Sequence, residues 1–339
     1  MSLNFKNKKV LVTGADGFIG SHLCSKLVQL GAKVKALSLY NAYNKIGWLE
    51  DLDQNILKEI EICSGDVRDS ALVENITKKI DVVFHLAALI SIPYSYNAPN
   101  SFLQTNTFGT MNILDAIKKN KCERLISTST SEVYGTAIKV PIDENHRIQA
   151  QSPYAASKIS ADYFIESYVR TYGVPALILR PFNTYGPRQS EKAVISSIFQ
   201  QVLDDTVTEI KVGNLDTKRD FNYVEDTVMA FVSLALADKN KVQFGIAYNA
   251  GSGHAEKIGS VLKKIISISN SKKRVIIENK RFRPVNSEVE NLLACSKKLN
   301  KLTKWLPKTS LEEGLKKTLN WWIDRKEKGI IKTFRSYSI

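Results

Sequence analysis

The chain of 339 residues is 43% hydrophobic and 24% charged, which is typical of a soluble globular protein and excludes a disordered one. No apolar run approaches the ~18 residues that a membrane-spanning helix requires. The net charge of +14 is concentrated at one end, because residues 255–339 carry 21 Lys and Arg against 8 Asp and Glu.

This basic excess suits an anionic ligand, a membrane surface or a nucleic acid, and a solvated surface is the simpler alternative. We favour solvation together with a phosphate-bearing small substrate, and we therefore expect neither nucleic acid nor membrane as a partner. A strand-like run begins at Lys9, so we expect no signal peptide. The cysteines Cys24, Cys63, Cys122 and Cys295 lack disulfide or metal-ligand spacing. They indicate a cytoplasmic protein without a metal site.

Short apolar runs alternate with helical patterns through the first 180 residues of the chain. The runs predict strands at residues 9–13, 33–37, 60–63, 81–86, 124–128 and 176–180. The clearest helical patterns between them cover residues 70–79, 101–119 and 154–172. Because such alternation requires crossover connections, it predicts a doubly wound (Rossmann) α/β fold with a parallel sheet.

Beyond about residue 185 the alternation is less regular, which indicates a second, smaller lobe. We expect a dinucleotide-binding domain over residues 1–183, interleaved with a substrate-binding lobe over residues 184–216 and 253–325. Residues 217–252, which include a strand-like run at 244–249, are expected to return to the main sheet. Residues 326–339 are expected to form a basic tail.

A glycine-rich loop follows the first predicted strand and precedes the first predicted helix. Its G-x-x-G-x-x-G pattern permits a tight turn and lets backbone N–H groups approach a pyrophosphate. An ordinary strand-to-helix turn is the alternative, but this position favours dinucleotide binding. The candidate cofactor-binding residues of the loop are Gly14, Asp16, Gly17, Phe18, Ile19 and Gly20.

The residue at the end of the second strand usually separates NAD from NADP, because an acid binds the ribose 2′-OH and a basic residue suits a 2′-phosphate. Ser38 occupies this position, so the choice between NAD and NADP stays open. Asp66 and Val67 follow the third strand and are candidates for the adenine pocket. A turn or a helix cap is the alternative for Asp66.

Tyr154 and Lys158 are four residues apart in a predicted helix, which places them on one face. A nearby ammonium would lower the pKa of the tyrosine and let its oxygen act as a base toward a sugar hydroxyl. A Ser/Thr-rich run that includes Thr130 and ends at Glu132 leaves the fifth strand at its carboxyl end, where ligands bind in doubly wound sheets. Strand-end capping is the alternative for this run.

Together these motifs resemble the extended short-chain dehydrogenases/reductases, the group of NAD(P)-dependent sugar-nucleotide epimerases, dehydratases and decarboxylases. The resemblance covers residue 8 to about residue 325, and beyond the motifs above it rests on residues 65–69, 85–88, 130–135, 180–183 and 185–188. It implies a tightly bound NAD or NADP, with Leu86, Ala87 and Ala88 beside it. It also implies a homodimer formed through the helices at 101–119 and 154–172.

Within this group Glu132 distinguishes the possible reactions. By the resemblance, Tyr154 would take the C4 hydroxyl proton, Thr130 would hydrogen-bond the C4 oxygen and Lys158 would hold the cofactor ribose. A 4,6-dehydratase must also remove the C5 proton and expel the C6 hydroxyl, roles that fall to Glu132 with help from Ser131. A 4-epimerase and a glucuronate-type decarboxylase are the alternative enzymes. An NAD(P)-sensing or nucleic-acid-binding protein is the alternative from another class.

Four further segments, at residues 40–49, 89–96, 151–154 and 182–189, resemble one subfamily, the N-acetylglucosamine nucleotide 4,6-dehydratases of legionaminic acid biosynthesis. The resemblance implies a GDP- or UDP-linked N-acetylglucosamine substrate. Asn183, Arg219 and Arg283 would hold its diphosphate, and Arg188 would lie close to it. Arginine suits this role because its planar guanidinium offers bidentate donors.

Overall fold

The computed structural model describes residues 4–284 and 287–331. Residues 332–339 of the predicted basic tail and residues 285–286 of the predicted smaller lobe lie outside this part. The strands are β1 (Lys9–Thr13), β2 (Lys33–Leu39), β3 (Ile60–Gly65), β4 (Val82–His85), β5 (Arg124–Thr128), β6 (Ala176–Pro181), β7 (Asn183–Tyr185), β8 (Glu209–Val212), β9 (Lys218–Tyr223), β10 (Ala247–Ala250), β11 (Ala255–Lys257), β12 (Arg274–Ile277) and β13 (Asn291–Leu292). The α-helices are α1 (Phe18–Gln29), α2 (Gln54–Lys58), α3 (Ser70–Ile76), α4 (Ile92–Asn97), α5 (Pro99–Phe102), α6 (Gly109–Asn120), α7 (Pro153–Tyr172), α8 (Val194–Leu203), α9 (Val224–Ala235), α10 (Ile258–Ile268), α11 (Lys297–Thr303) and α12 (Leu311–Glu327).

Seven parallel strands form the central sheet, in the order β10-β6-β5-β4-β1-β2-β3. All six strands predicted in the first 180 residues belong to it, so the predicted doubly wound α/β fold is confirmed. The returning strand is shorter than the predicted run at 244–249. Strand β10 begins only at Ala247, because Gly245 has a φ of 78° and interrupts the extended backbone.

Helices cover both faces of the central sheet. Val10 and Val12 of β1 pack with residues of α1, α9 and α11 on one face. Leu11 points the other way and packs with residues of α3, α6 and α7. A strand buried on both faces has no polar side to present, which explains why residues 10–12 of β1 form an uninterrupted apolar run.

The predicted helix at 101–119 is interrupted. The short helix α5 is followed by a π-helical segment, Leu103–Phe108, and then by α6. At its centre, the amide of Asn106 accepts the Leu89 N–H at 2.8 Å and donates to the Ser157 Oγ at 2.9 Å. Thr107 donates to the Ser157 carbonyl oxygen at 3.0 Å. These contacts tie the segment to the loop after β4 and to the first turns of α7.

The smaller lobe is built on β7, β9, β11 and β13, which form one sheet, and on the pair β8 and β12. Helices α8, α10 and α12 pack on them around a second core. Strand β9 hydrogen-bonds to β7, β11 and β13, although the sequence assigns its residues to the range that returns to the main sheet. Of that range, α9 and β10 reach the main domain.

Among the described residues, no helix combines the length and the apolar character needed to cross a bilayer. Cys24 and Cys122 are buried thiols, and Cys63 and Cys295 are half-buried ones. The cytoplasmic location inferred from the cysteine pattern stays a prediction, as does the expectation that no nucleic acid binds.

Candidate active site

The candidate site lies at the edge of the central sheet where its strands end. The glycine loop follows β1, residues 86–88 follow β4, residues 129–134 follow β5 and Asn183 follows β6. Because β1, β4, β5 and β6 are parallel neighbours, the loops after them meet at their carboxyl ends. The fold thus gathers most of the predicted cofactor and catalytic residues from distant parts of the sequence.

The glycine loop packs directly on the end of β4. Gly14 has a φ of 66°, and a Cβ there would lie 2.7 Å from the Ala87 nitrogen. A Cβ on Gly20 would overlap the Gly14 carbonyl. The N–H groups of Leu86 and Ala87 are themselves anchored by the Thr13 carbonyl and hydroxyl oxygens, at 3.1 and 3.2 Å. Glycine is therefore required at positions 14 and 20 for this close approach.

Helix α1 begins at Phe18 without a capping side chain or an acidic residue in its first turn. Such an N-terminus offers unpaired N–H groups and a partial positive charge to an anion. A Cβ on its N-cap residue, Gly17, would meet only the Gly14 carbonyl oxygen, at 3.2 Å. The space above the loop is open, so these residues fit the pyrophosphate of a dinucleotide.

Asp16 ties the glycine loop to the end of β2. Its carboxylate accepts the Leu39 N–H at 3.0 Å, and its carbonyl oxygen accepts the Trp48 N–H at 2.9 Å. The neighbouring Ser38 is 1% exposed, and its Oγ has no hydrogen-bond partner within the part of the chain that the structure describes. A buried hydroxyl without a hydrogen-bond partner is suited to bind a polar group of a ligand. Ser38 is the residue predicted to lie at the cofactor ribose, so this observation fits the prediction.

The two adenine-pocket candidates point in different directions. Asp66 is partly exposed and accepts the Arg68 Nε at 2.9 Å; this hydrogen bond lowers the pKa of Asp66. Val67 is 4% exposed and packs into the core beside α6. Its carbonyl oxygen accepts Asn112 Nδ2 at 2.9 Å. The apolar side chain of Val67 is thus drawn into the core, and Asp66 keeps its carboxylate near the surface.

A 3-10 turn, Ser131–Tyr134, presents the polar residues that follow β5. Thr130 caps this turn, because its Oγ1 accepts the Glu132 N–H at 3.2 Å, and both Thr130 and Ser131 are buried. The Glu132 side chain is only 14% exposed, and its Oε1 lies 3.7 Å from Nη1 of Arg283. The turn therefore holds a carboxylate that is shielded from solvent and paired with a guanidinium.

Tyr154 lies in the first turn of α7 and hydrogen-bonds to the side chain of Thr130. Burial raises the pKa of Tyr154; the Thr130 hydrogen bond opposes this rise, and the charge of Glu132 adds to it. Lys158 donates to the Thr128 carbonyl oxygen at 2.5 Å, and burial lowers its pKa to about 8. The sequence predicts a lowered tyrosine pKa, but desolvation of the phenol dominates because the Lys158 ammonium is directed at a carbonyl oxygen.

A buried ion pair behind these residues was missed by the sequence analysis. Asp162 Oδ2 accepts Arg180 Nη2 at 2.9 Å and Ser129 Oγ at 2.8 Å. Its negative charge also opposes the lowering of the Lys158 pKa by burial. Asp162 follows Lys158 by four residues on the same helix face, so the spacing could have revealed it. This ion pair supports the backbone between Thr128 and Thr130.

Two predicted substrate residues approach Glu132 from the smaller lobe. Arg219 on β9 is buried, which lowers its pKa, and it interacts electrostatically with both Glu132 and Arg283. Its Nη2 lies 3.0 Å from Oε1 of Glu288. Two guanidinium groups thus lie beside the shielded carboxylate. Asn183 lies at the sheet edge, with a buried Oδ1 that has no hydrogen-bond partner among the described residues.

Arg188, the fourth predicted substrate residue, faces α1 instead. It has a φ of 67°, and its Nη1 donates to Ser21 Oγ at 3.0 Å. The preceding Pro187 carbonyl oxygen lies 3.0 Å from His22 Nε2. Burial lowers the pKa of His22 to about 3, with a contribution from Arg188, so this histidine is neutral. The loop is held by the first turns of α1, and Arg188 therefore borders the glycine loop rather than Arg219 and Arg283.

Known proteins are similar to this chain along most of its length. The family model of GDP-mannose 4,6 dehydratase matches residues 11–318. The chain belongs to this family. The human dTDP-D-glucose 4,6-dehydratase is 31% identical to it over 323 residues, which cover 93% of this chain and 90% of that protein.

Solved structures also resemble the whole chain. UDP-N-acetylglucosamine 4-epimerase from Methanobrevibacter ruminantium M1, in complex with UDP-N-acetylmuramic acid, aligns with a TM-score of 0.85 and 30% identity, over 95% of this chain and 100% of that one. UDP-glucuronic acid 4-epimerase from Bacillus cereus, in complex with UDP-glucuronic acid and NAD, has a TM-score of 0.84 and 27% identity, over 93% and 99%. Relatives of this family member include dehydratases and epimerases, so its reaction has to be inferred from the site.

Proposed function

We propose that this protein is a sugar-nucleotide 4,6-dehydratase, a hydro-lyase that converts GDP- or UDP-linked N-acetylglucosamine to its 4-keto-6-deoxy derivative. The observation that carries this proposal is the position of Glu132. Its shielded carboxylate interacts electrostatically with Tyr154 and lies 3.7 Å from Arg283. A carboxylate beside the tyrosine supplies a second proton acceptor, which dehydration needs and epimerisation does not.

The cofactor would be NAD or NADP, held by the backbone of residues 14–20 and by the free hydroxyl of Ser38. When bound, it supplies a hydride acceptor for C4 and a hydride donor for C6, and it is regenerated in each turnover. Lys158 would bind its ribose through the ammonium group. The similar UDP-glucuronic acid 4-epimerase contains NAD, which makes NAD the first cofactor to test.

The first proton transfer would be from the C4 hydroxyl to Tyr154. Thr130 hydrogen-bonds to Tyr154, and its side chain would also hydrogen-bond to the C4 oxygen of the sugar. Because burial raises the pKa of Tyr154, a cation has to stabilise the phenolate in the working site. Lys158 is the cation on the same helix face, so its protonated form is the one that supports this step.

The second proton transfer would be from C5 to Glu132. A ketone at C4 acidifies the C5 proton, and a carboxylate shielded from water can accept it. Loss of this proton and of the C6 hydroxyl forms a C5=C6 double bond. Glu132 or Ser131 would deliver the proton with which the hydroxyl leaves as water. Reduction at C6 must be completed by a new proton at C5, which would come from solvent through Glu132. Arg283 would orient the Glu132 carboxylate for this step, because the two groups form an ion pair.

The substrate diphosphate would bind to Arg219, Arg283 and Asn183. Arg219 and Arg283 interact electrostatically, and two neighbouring guanidinium groups match the two charges of a diphosphate. The N-acetylglucosamine unit and a role in legionaminic acid or other surface-glycan synthesis rest on the resemblance of residues 40–49, 89–96, 151–154 and 182–189 to that subfamily. The solved UDP-N-acetylglucosamine 4-epimerase supports the same class of sugar nucleotide.

A sugar-nucleotide 4-epimerase is the second candidate. Thr130, Tyr154 and Lys158 suffice for that reaction, and the similarity to the solved UDP-N-acetylglucosamine 4-epimerase favours it. A glucuronate-type decarboxylase would use the same residues on a sugar with a C6 carboxylate. A non-catalytic NAD(P) sensor would need only the glycine loop.

Product analysis separates these reactions. The purified protein is incubated with GDP-N-acetylglucosamine, UDP-N-acetylglucosamine or UDP-glucuronate, each with NAD or NADP, and the products are examined by mass spectrometry. A dehydratase gives a product lighter by one water molecule. An epimerase gives an isomer of unchanged mass, a decarboxylase releases carbon dioxide, and either result would refute the dehydratase proposal. No turnover of any sugar nucleotide would support the sensor.

The predicted homodimer is also proposed, with the π-helical segment, α6 and α7 at its interface. Large apolar side chains on these elements are exposed, namely Leu103, Phe108, Tyr163 and Tyr172. A concave surface on α7 is lined by Ile159, Tyr163 and Phe164. Light scattering of the purified protein should give twice the chain mass, and Tyr163→Lys should give monomers.

A further inference from the structure

The last helix of the smaller lobe contacts a segment that borders the glycine loop. This segment is a 3-10 helix, Gly47–Asp51, and we call it the 47–51 segment. The Asp51 carboxylate accepts Arg325 Nη1 of α12 at 2.7 Å and Trp321 Nε1 at 3.3 Å. The two lobes are therefore joined here by residues that are remote in the sequence.

Trp48 completes the contact. Its ring centroid lies 5.7 Å from that of Trp321, at an interplanar angle of 64°. The Arg325 guanidinium lies 5.0 Å from the Trp48 ring and 4.9 Å from the Trp321 ring, so one cation interacts with both. The side chains of Arg325 and Asp51 are 15% and 27% exposed, so their ion pair is partly shielded from solvent.

The opposite side of the 47–51 segment rests on the glycine loop. The Trp48 N–H donates to the Asp16 carbonyl oxygen at 2.9 Å, and a Cβ on Gly47 would lie 2.6 Å from that oxygen. The Asp16 carboxylate in turn accepts the Leu39 N–H at the end of β2. A continuous series of contacts thus leads from α12 to the positions expected for the pyrophosphate and the ribose. Phe18 also packs against the core of the smaller lobe.

We propose that Arg325 and Trp321 are positioning residues for the dinucleotide. Through Asp51 and Trp48 they hold the 47–51 segment against Asp16 and keep the glycine loop in its binding conformation. The inference rests on the dinucleotide-binding part of the proposed function. An enzyme that regenerates its cofactor in each turnover benefits when release is slow, and these contacts slow release because the smaller lobe must loosen before the loop can open.

The test compares cofactor binding in Arg325→Gln, Asp51→Asn and the double variant, using the full chain. NADH binding is titrated by fluorescence, and release is timed after dilution. We expect each single variant to weaken binding about fivefold, mainly through faster release, as for a partly shielded ion pair. The double variant should weaken binding by less than the product of the two single effects, because the contact between Arg325 and Asp51 is lost in all three variants. Arg188 also interacts electrostatically with Asp51, so Asp51→Asn is expected to have the larger effect.

Lys328→Gln is the matched control, because Lys328 directly follows the same helix and pairs with Asp324 on the surface. It should bind NADH as the unchanged protein does, and Arg325→Lys should recover part of the lost affinity. If the Arg325 and Asp51 variants only lower the unfolding temperature of the cofactor-free protein, while affinity and release rate stay unchanged, the contact is purely structural and the inference fails. If the unchanged protein binds neither NADH nor NADPH, the dinucleotide part of the proposed function fails with it.

Discussion

Glu132 and Arg283 form an ion pair between the two lobes, with Oε1 and Nη1 3.7 Å apart. The smaller lobe thus supplies the charged partner of Glu132, the candidate acceptor for the C5 proton. We expect Glu132→Gln to abolish dehydration and the uptake of deuterium at C5 from heavy water. The expected loss in kcat is about 10²- to 10⁴-fold, as for removal of a general base. Mass spectrometry and NMR of the product measure both effects.

Glu123→Gln is the control for this variant. Glu123 precedes β5 at the opposite end of the strand and pairs with Lys8 on the surface, so turnover should be normal. Normal dehydration by Glu132→Gln would refute the dehydratase proposal.

Stability should rise with pH because of Lys158. Burial lowers its pKa from 10.5 to about 8, so between these values the unfolded chain binds a proton that the folded protein does not. The free energy of unfolding should therefore increase by about 3 kcal/mol across this window, relative to Lys158→Met. Urea denaturation of the cofactor-free proteins at several pH values measures the difference. A parallel pH dependence of the two proteins would mean that Lys158 titrates at its ordinary pKa.

Asp162→Asn should destabilise the protein strongly. It leaves the Arg180 guanidinium, which is 5% exposed, without its carboxylate, and breaking such a pair costs about 3–5 kcal/mol. The double variant Asp162→Leu with Arg180→Met removes both charges and should recover much of this loss. Glu166→Gln, in an exposed pair with Arg170 on the same helix, should change stability by less than about 1 kcal/mol. Equal effects of the Asp162 and Glu166 variants in denaturation experiments would contradict this view.

Gly14→Ala and Gly173→Ala form a matched pair, because both glycines have a φ of 66°. A Cβ on Gly14 would lie 2.7 Å from the Ala87 nitrogen, whereas nothing described lies within 4 Å of one on Gly173. Both variants should lose about 1 kcal/mol or more through backbone strain. Only Gly14→Ala should also lose NAD binding, measured by isothermal titration calorimetry. If both variants bind NAD equally well, the glycine loop is not the pyrophosphate site.

Replacing each of three arginines by lysine should distinguish those that bind the sugar nucleotide from the one that borders the glycine loop. Arg219→Lys and Arg283→Lys keep the charge but lose the planar pair of donors, so the KM for the sugar nucleotide should rise about tenfold. Arg188→Lys should leave this KM nearly unchanged, because Arg188 contacts Ser21 of α1. Steady-state kinetics with saturating cofactor measure these values. An equal rise in KM for all three variants would place Arg188 at the substrate.

The sheet and the glycine loop could be predicted because their signals are local. Residues 10–12 of strand β1 are all apolar since both faces of the strand are covered, and the required glycines at 14 and 20 follow the strand in the glycine loop and the first turn of α1. The electrostatics of Tyr154 could not be predicted, because burial by distant elements decides its pKa. The place of Arg188 depends on a tertiary contact with α1, and the length of β10 depends on the backbone conformation of Gly245.

The π-helical segment Leu103–Phe108 holds one residue more than regular α-helical turns would. Deletion of one residue there would restore an unbroken helix, but it would rotate Asn106 by about 100° and separate its amide from Leu89 and Ser157. The first turns of the helix that bears Tyr154 would then lose their brace to the loop after β4. The number of residues in this stretch therefore fits the contacts that position the helix bearing Tyr154, and the π-helical turn accommodates the additional residue.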